Sequence, residues 1–426
     1  MKRNLLIFLI ISIHLIFFTI AIADDSGSIF VEKCGSCHKN NKKIRKFTPA
    51  RYTSAQWRRF FDKNKHKRKK DIDEVITSDE RNQIRMYLIS HSKDSAEPDV
   101  VGFSKDKYTW KVGTLMPKNI GWAKLYREII LPVLNMVTDG NMLIKIYWGD
   151  VIGDDIDVIE KLESGELDGG GLSGYGISLL CPELSVLSLP FLFNTNGEVD
   201  YVIKKMTPMF DEFLKKRGYK LLLLTEQDFD QVYSRKYEMK SIDHFSKSNF
   251  GSWFGTLEQK LLHNLGANVI PPSNDRNIYS LIQDQTRVDA FIGPATFVLC
   301  TGIHSDIKYM NQIKIRYAPG AAVVRTDSWN AISPFYQKRI TGEFKQYVER
   351  EFSEAVRRTN SRAINAMIKY GIKDVKMNPE ELAAIKDKVR PLWFELADNL
   401  YPKEVLLELL QHLDDYRSQM RANDYN

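Results

Sequence analysis

Cysteine and histidine are scarce, with four and eight in 426 residues. No Ser/His/Asp set or cluster of metal-ligating side chains stands out, which argues against hydrolytic or zinc chemistry. Long apolar runs are also missing beyond residue 23, which excludes a later membrane span. Acidic residues nearly vanish from 39–70, where Asp62 is the only one. That stretch carries most of the net charge of +7, and the rest is near neutral or acidic. The charge therefore does not signal a nucleic-acid partner. Hydrophobic content of 43% and charged content of 27% are those of a globular protein, and the length admits two or three domains.

What is present begins with residues 1–23. Lys2 and Arg3 form a basic start, 5–20 is apolar, and Ala21-Ile22-Ala23 is a small-residue exit. This predicts an export signal cleaved after Ala23 and a periplasmic mature chain, with a retained anchor as the alternative. No cysteine follows the cleavage point, which excludes lipid attachment there.

Residues 24–92 read as a small all-α domain. Cys34-Gly35-Ser36-Cys37-His38 has the C-x-x-C-H spacing of c-type haem attachment, in which two thiols hold the macrocycle and the histidine ligates iron. A redox dithiol and half a zinc site are the competing readings. The second ligand pair that zinc needs is not nearby, and a dithiol does not require the histidine. Thr53…Gln56 and Thr77…Glu80 are capping boxes that open helices, one through Trp57, Phe60 and Phe61, the other with Ile84, Leu88 and His91 on one face. The segment resembles class I-type cytochrome c domains, which implies one covalent haem c. Such domains often place a methionine between the last two helices. Here 62–77 has none, and His66 is its strong ligand, so His66 is the expected sixth ligand. His91, Met86 and an open site remain alternatives. The basic run at 63–70 reads as a solvated loop or as a docking face for an acidic redox partner.

Residues 93–107 read as a linker, and 108–426 as a second module of alternating strands and helices, hence α/β with parallel sheets. The stretch 165–193 is its most telling part. A short apolar strand follows Leu167-Asp168 and runs into the glycine loop Ser173-Gly174-Tyr175-Gly176. The stretch closes on Leu189-Pro190-Phe191-Leu192-Phe193. Val288-Asp289-Ala290 repeats the unit, which suggests two α/β lobes that deliver strand ends to one cleft. A helical pattern from Ser333 to Tyr370 could underlie both lobes, with Thr341-Gly342 as a possible break.

At this point residues 108–426 resemble the solute-binding proteins of tripartite ATP-independent periplasmic (TRAP) transporters. The matching segments include Gly121-Trp122-Ala123-Lys124, 145–154, 162–169, 182–193, Leu265-Gly266-Ala267-Asn268 and Val288-Asp289-Ala290. The resemblance implies a two-lobed periplasmic-binding-protein fold with a hinge and long C-terminal helices. It implies no catalytic residues, a small organic solute as ligand, and transporter membrane subunits as partners. It places Met116, Trp122, Trp148, Asp150, Ser173, Tyr175, Phe191, Glu226, Phe229, Ser252, Trp253, Phe254, Pro294 and Phe297 around the cleft. For the aromatics, Phe191 and Phe229 above all, core packing is the alternative. It also puts Cys181 and Cys300 in different lobes, where a bridge would lock the hinge, so both are expected to be buried free thiols.

Most members of that family hold a substrate carboxylate with an arginine. Gly251 stands at that place, which implies extra room and a larger or less anionic solute, aromatic ones included, rather than a small dicarboxylate. A solute receptor fused to an electron-transfer domain is the leading functional reading. A periplasmic electron-transfer protein, or a haem-linked redox enzyme or sensor that uses the two-lobed module to bind its reductant or signal, is the alternative.

Overall fold

The computed structural model describes residues 26–38, 47–68, 72–95, 98, 108–118, 121–271 and 278–424. The expected export signal and most of the linker lie outside them. The chain divides into two compact units, Met1–Glu97 and Pro98–Asn426.

The described residues of the first unit form helices and turns. A helical run through Ser26–Ile29, a wider turn at Phe30–Cys34 and Gly35–His38 carries both cysteines and His38. Helices Ser54–Asp62 and Ser78–Ser90 follow, each opened by the expected reciprocal capping box at Thr53 and Thr77. Each box satisfies two backbone N–H groups that the first helical turn leaves unpaired. Phe30, Trp57, Phe61, Ile84 and Leu88 are buried, and the Trp57 indole N–H donates to the Pro49 carbonyl at 2.7 Å.

The second unit holds one nine-stranded sheet. Its strands are β1 (Tyr108–Thr114), β2 (Met142–Trp148), β3 (Gly169–Leu172), β4 (Tyr219–Ser234), β5 (Asn249–Gly251), β6 (Asn268–Ile270), β7 (Ala290–Pro294), β8 (Tyr309–Arg325) and β9 (Lys373–Val375). The order is β2-β1-β3-β8-β4-β7-β5-β6, with β9 beside β8. The expected parallel sheets are corrected here to one mixed sheet. The reason is the length of β4 and β8, 16 and 17 residues, which pair antiparallel and pass from one lobe into the other. One end of β8 pairs with β3 at Gly169↔Val324, and the far end of β4 pairs with β7 at Val232↔Ile292. Parallel pairs survive within each lobe, β1 with β2 and β3, and β5 with β6 and β7.

The pattern from Ser333 to Tyr370 is helical but interrupted, with Pro334–Arg339, a wider turn at Ile340–Phe344, then Lys345–Tyr370. The break sits at Thr341-Gly342, where glycine weakens the ladder. Gly371, at φ 115°, ends the helix in the left-handed region that glycine adopts freely. Phe352 and Val356 pack with the β1–β2 lobe, and Ala363 and Met367 with the β7 lobe, so this helix underlies both. Pro132 follows a wider turn at Tyr126–Ile130, and its ring cannot supply a ladder N–H.

Candidate functional site

In the first unit, Cys34, Cys37 and His38 lie on the last turns of one helical run. Neither cysteine is in a disulfide. Burial, then Cys37 beside it, pushes the Cys34 thiol up to about 12. A thiol so protonated is a poor exchange nucleophile, which argues against the redox-dithiol reading. His66 sits on the short helix Lys65–Arg68, and its ring centroid is 6.2 Å from that of His38. Phe47 stands edge-on to His38 at 4.9 Å, and Phe60 flanks His66 at 6.4 Å. His91 packs on Tyr87 at 4.4 Å, and Met86 is 70% exposed on the outer face of its helix. The helix thus turns Met86 away from the aromatic cluster, and His66 is the candidate ligand facing His38.

In the second unit the repeated aspartates do the same structural job. Asp168 accepts from the Lys111 N–H at 2.8 Å, and Asp289 from the Asn249 N–H at 3.1 Å. Each carboxylate therefore joins its strand to the adjacent parallel strand. The loops that follow lead to the cleft. Ser173 caps helix Gly174–Leu180, accepting from the Tyr175 and Gly176 N–H groups at 3.2 and 3.4 Å. Its own N–H donates to Asp155 at 3.1 Å and its hydroxyl to the same carboxylate. Burial raises Asp155 to about 6. Pro294 occupies the position before helix Ala295–Cys300, at the equivalent strand end of the other lobe.

The lobes meet across these loops. A Cβ added at Gly174 would lie 2.6 Å from the Phe254 ring, and one at Gly255 would lie 2.9 Å from Tyr175. Tyr175 and Phe254 rings are 6.5 Å apart. Met116, Trp122, Tyr126, Ser173, Glu226 and Phe352 line a small, partly open cavity of about 20 Å³. The lobes are therefore closed, and a solute requires them to part.

Two charge networks cross the hinge, one fully buried and one reaching the surface at Asp200. Arg316 on β8 pairs with Asp230 on β4 at 2.6 Å and with Glu258 at 2.7 Å, all three within 1% of full burial. Glu258 also accepts from the Trp253 and Phe254 N–H groups at 2.9 and 3.3 Å, and the Arg316 guanidinium lies 3.9 Å from the Phe254 ring centre. Arg357, on the long helix, pairs with Glu226 at 2.8 Å and Asp200 at 2.5 Å, while the Tyr317 hydroxyl donates to Glu226 at 3.1 Å. Burial raises Glu226 to about 7 and Asp230 to about 6, against the pull of their arginines. Asp228 sits at φ 71° beside a β4 register shift and accepts from Asn360 at 2.9 Å.

The other predicted residues fall as follows. Trp253 packs between Phe291 and Phe297, with ring centroids at 5.9 and 5.6 Å, and Ser252 is fully buried beside it. Trp148 is partly buried and lies 5.8 Å from the Arg127 guanidinium. Asp150 lies on the short helix Gly149–Val151. Phe191 faces away from the closed cleft, into a pocket of about 260 Å³ that Lys314, Lys376 and Lys386 also line. Phe229 is buried under Lys314, at 4.8 Å. Gly251 does not open space in the cleft wall, because a Cβ there would meet Val288 at 3.2 Å in the core. Cys181 is buried as expected, but Cys300 is only half-buried because it ends its helix next to Gly121. Tyr126, Phe352, Asp155, Arg316 and Arg357 were missed. Tyr126 and Phe352 read as core at helical spacing, and the charges find their partners only through the crossing strands.

The DctP family, bacterial extracellular solute-binding protein family 7, matches residues 131–399, more than half the chain. A C4-dicarboxylate-binding protein DctB of Bacillus subtilis is 21% identical over 72% of this chain and 85% of its own length. Among solved structures, the sugar acid binding protein DctPAm from Advenella mimigardefordensis with galactonate has TM-score 0.67 at 20% identity, covering 74% of this chain and 100% of that one. A TRAP solute-binding protein from Desulfovibrio salexigens with orotic acid has TM-score 0.66 at 16% identity, covering 73% and 100%. Fold, closed cleft and family match agree, and the chain belongs to the DctP family of TRAP solute-binding proteins.

Proposed function

We propose that this protein captures a small organic solute in the interlobe cleft, in the periplasm, and presents it to the membrane subunits of a TRAP transporter. The observation that carries this is the joining of two lobes by β4, β8 and one underlying helix, with a small aromatic-lined cavity between them. Such a hinge lets solute contacts on both lobes stabilise one closed state. Relatives of the same fold hold galactonate and orotic acid. Thermal-shift screening tests the reading, since a ligand at a hundred times its Kd adds roughly 2.7 kcal/mol to stability. A shift from at least one small organic solute is expected; none from a broad library would count against a receptor.

The proposal includes one covalent haem c in the first unit. Cys34 and Cys37 would hold it by thioether bonds, and His38 and His66 would ligate its iron. The residues fit the group. The two imidazoles that would ligate iron lie together, with ring centroids 6.2 Å apart. Phe30, Phe47, Trp57 and Phe60 surround this pair as an aromatic core. Bound haem supplies one-electron redox chemistry. Haem staining on a denaturing gel checks the attachment. Stain is expected for the wild type and not for Cys34→Ala/Cys37→Ala, with the second unit still soluble; stain surviving in the double variant would refute covalent attachment.

A further inference from the structure

We propose that a pocket beside β8, outside the cleft, is a second ligand site for an organic anion that carries a carboxylate or phosphate head on an apolar body. The pocket measures about 260 Å³, close to the lower end of small-molecule sites. Its walls come from residues 191–194, from 311–314 of β8, and from the helix Pro379–Val389 with the turn before it. Phe191, Phe193, Ile313, Met377 and Leu382 make those walls apolar. The charged groups among them are Lys314, Lys376 and Lys386, and all three are cations.

The backbone is specialised at this place. Between the pairs Asp230↔Arg316 and Val232↔Asn311, β4 has one residue and β8 has four, 312–315. A bulge of this kind re-aims side chains out of the ladder. Lys314 sits in it at φ 50° and Phe191 beside it at φ 54°, with the Phe191 N–H donating to the Ile315 carbonyl at 2.9 Å. Non-glycine residues keep such angles only where their surroundings fix them, and such positions gather at ligand sites. The Lys314 ammonium lies 4.8 Å from the Phe229 ring centre and donates to the Asn194 carbonyl at 3.2 Å. The Lys386 ammonium lies 5.7 Å from the Phe191 ring centre. Among the described residues neither has a carboxylate within 4.0 Å, whereas Lys376 pairs with Asp374 at 2.8 Å. Asp228 feels the charge of Lys314 from further off, but its hydrogen bond is to Asn360. An ammonium group has three donors, so both lysines keep donors for a ligand. An anionic head on these groups would leave its apolar body against the Phe191 wall.

The test is titration calorimetry on the full chain, at low ionic strength so that exposed charges are not screened. The probes are phenylacetate and phenyl phosphate, set against the neutral phenylacetamide. At least one anion should bind about tenfold more tightly than the amide, the change expected of one charge-assisted hydrogen bond. Whichever anion binds more tightly identifies the head group. Lys314→Gln/Lys386→Gln should remove the advantage of the anion; both side chains reach solvent, so the fold does not depend on them. Leu382→Trp, which fills the pocket, should abolish the same binding with both lysines in place. Equal binding of the anions and the amide, or no binding of either anion, would overturn the inference. An anion whose affinity is unchanged in both variants would overturn it too, because it binds elsewhere, and would leave the receptor reading in place.

Discussion

At the scale of single residues, Arg316 is the most consequential side chain of the hinge. It is fully buried, and its two carboxylate partners come from β4 and from the helix Gly255–Asn264. Removing one member of a buried ion group leaves uncompensated charge, at a cost of about 3–5 kcal/mol. Arg316→Met should therefore lower stability in urea by that amount; a loss under about 1 kcal/mol would show the network to be incidental. The same burial sets a pH dependence. Asp155 and Asp230 rise to about 6 and Glu226 to about 7, from 3.8 and 4.5. A buried acid that holds its proton more tightly when folded favours the folded state at low pH, and that advantage fades as pH rises through the folded value. Glu238 and Asp327, lowered to about 2 by their lysine and arginine partners, act oppositely but only below about pH 4. The second unit should thus melt at a higher temperature at pH 5.5 than at pH 8; the reverse order would contradict these buried carboxylates. None of this was legible in the sequence, because Arg316 and its partners are ordinary charged residues until the crossing strands bring them together.

At the scale of elements, local signals were read well. The capping boxes at Thr53 and Thr77 depend on residues three apart, and both formed. Thr77→Ala should cost about 1 kcal/mol in stability of the first unit; an unchanged melting curve would mean that the helix is held by packing alone. The glycine loop after β3 was legible as a close approach, and the structure supplies its object, the Phe254 ring of the opposite lobe. Gly174→Val should wedge the lobes apart. It should weaken solute binding more than tenfold while leaving the fold intact by circular dichroism; unchanged affinity would show that closure does not pass through this contact. Less legible was the extent of β4, which runs 16 residues from Tyr219 to Ser234. Its register shifts at Leu221/Leu223, Glu226/Asp228 and Asp230/Val232 break the alternation of side chains that marks a strand in sequence. The failed expectation at Gly251 has a related cause. Position along the chain placed it near the cleft, but the strand pleat turns it toward Val288.

At the scale of the whole molecule, a solute-binding unit follows a small helical unit in one chain, and the two pose separate questions. For the first unit, His66→Ala should change the oxidised visible spectrum if His66 ligates iron, and a methionine–iron band in the wild type would exclude it. For the second, the central claim is that solute draws two hinged lobes together. Small-angle X-ray scattering tests it most directly, on the full chain with and without the compound that most raises its melting temperature. The account predicts a smaller radius of gyration with that compound bound; an unchanged radius at verified saturation would contradict it.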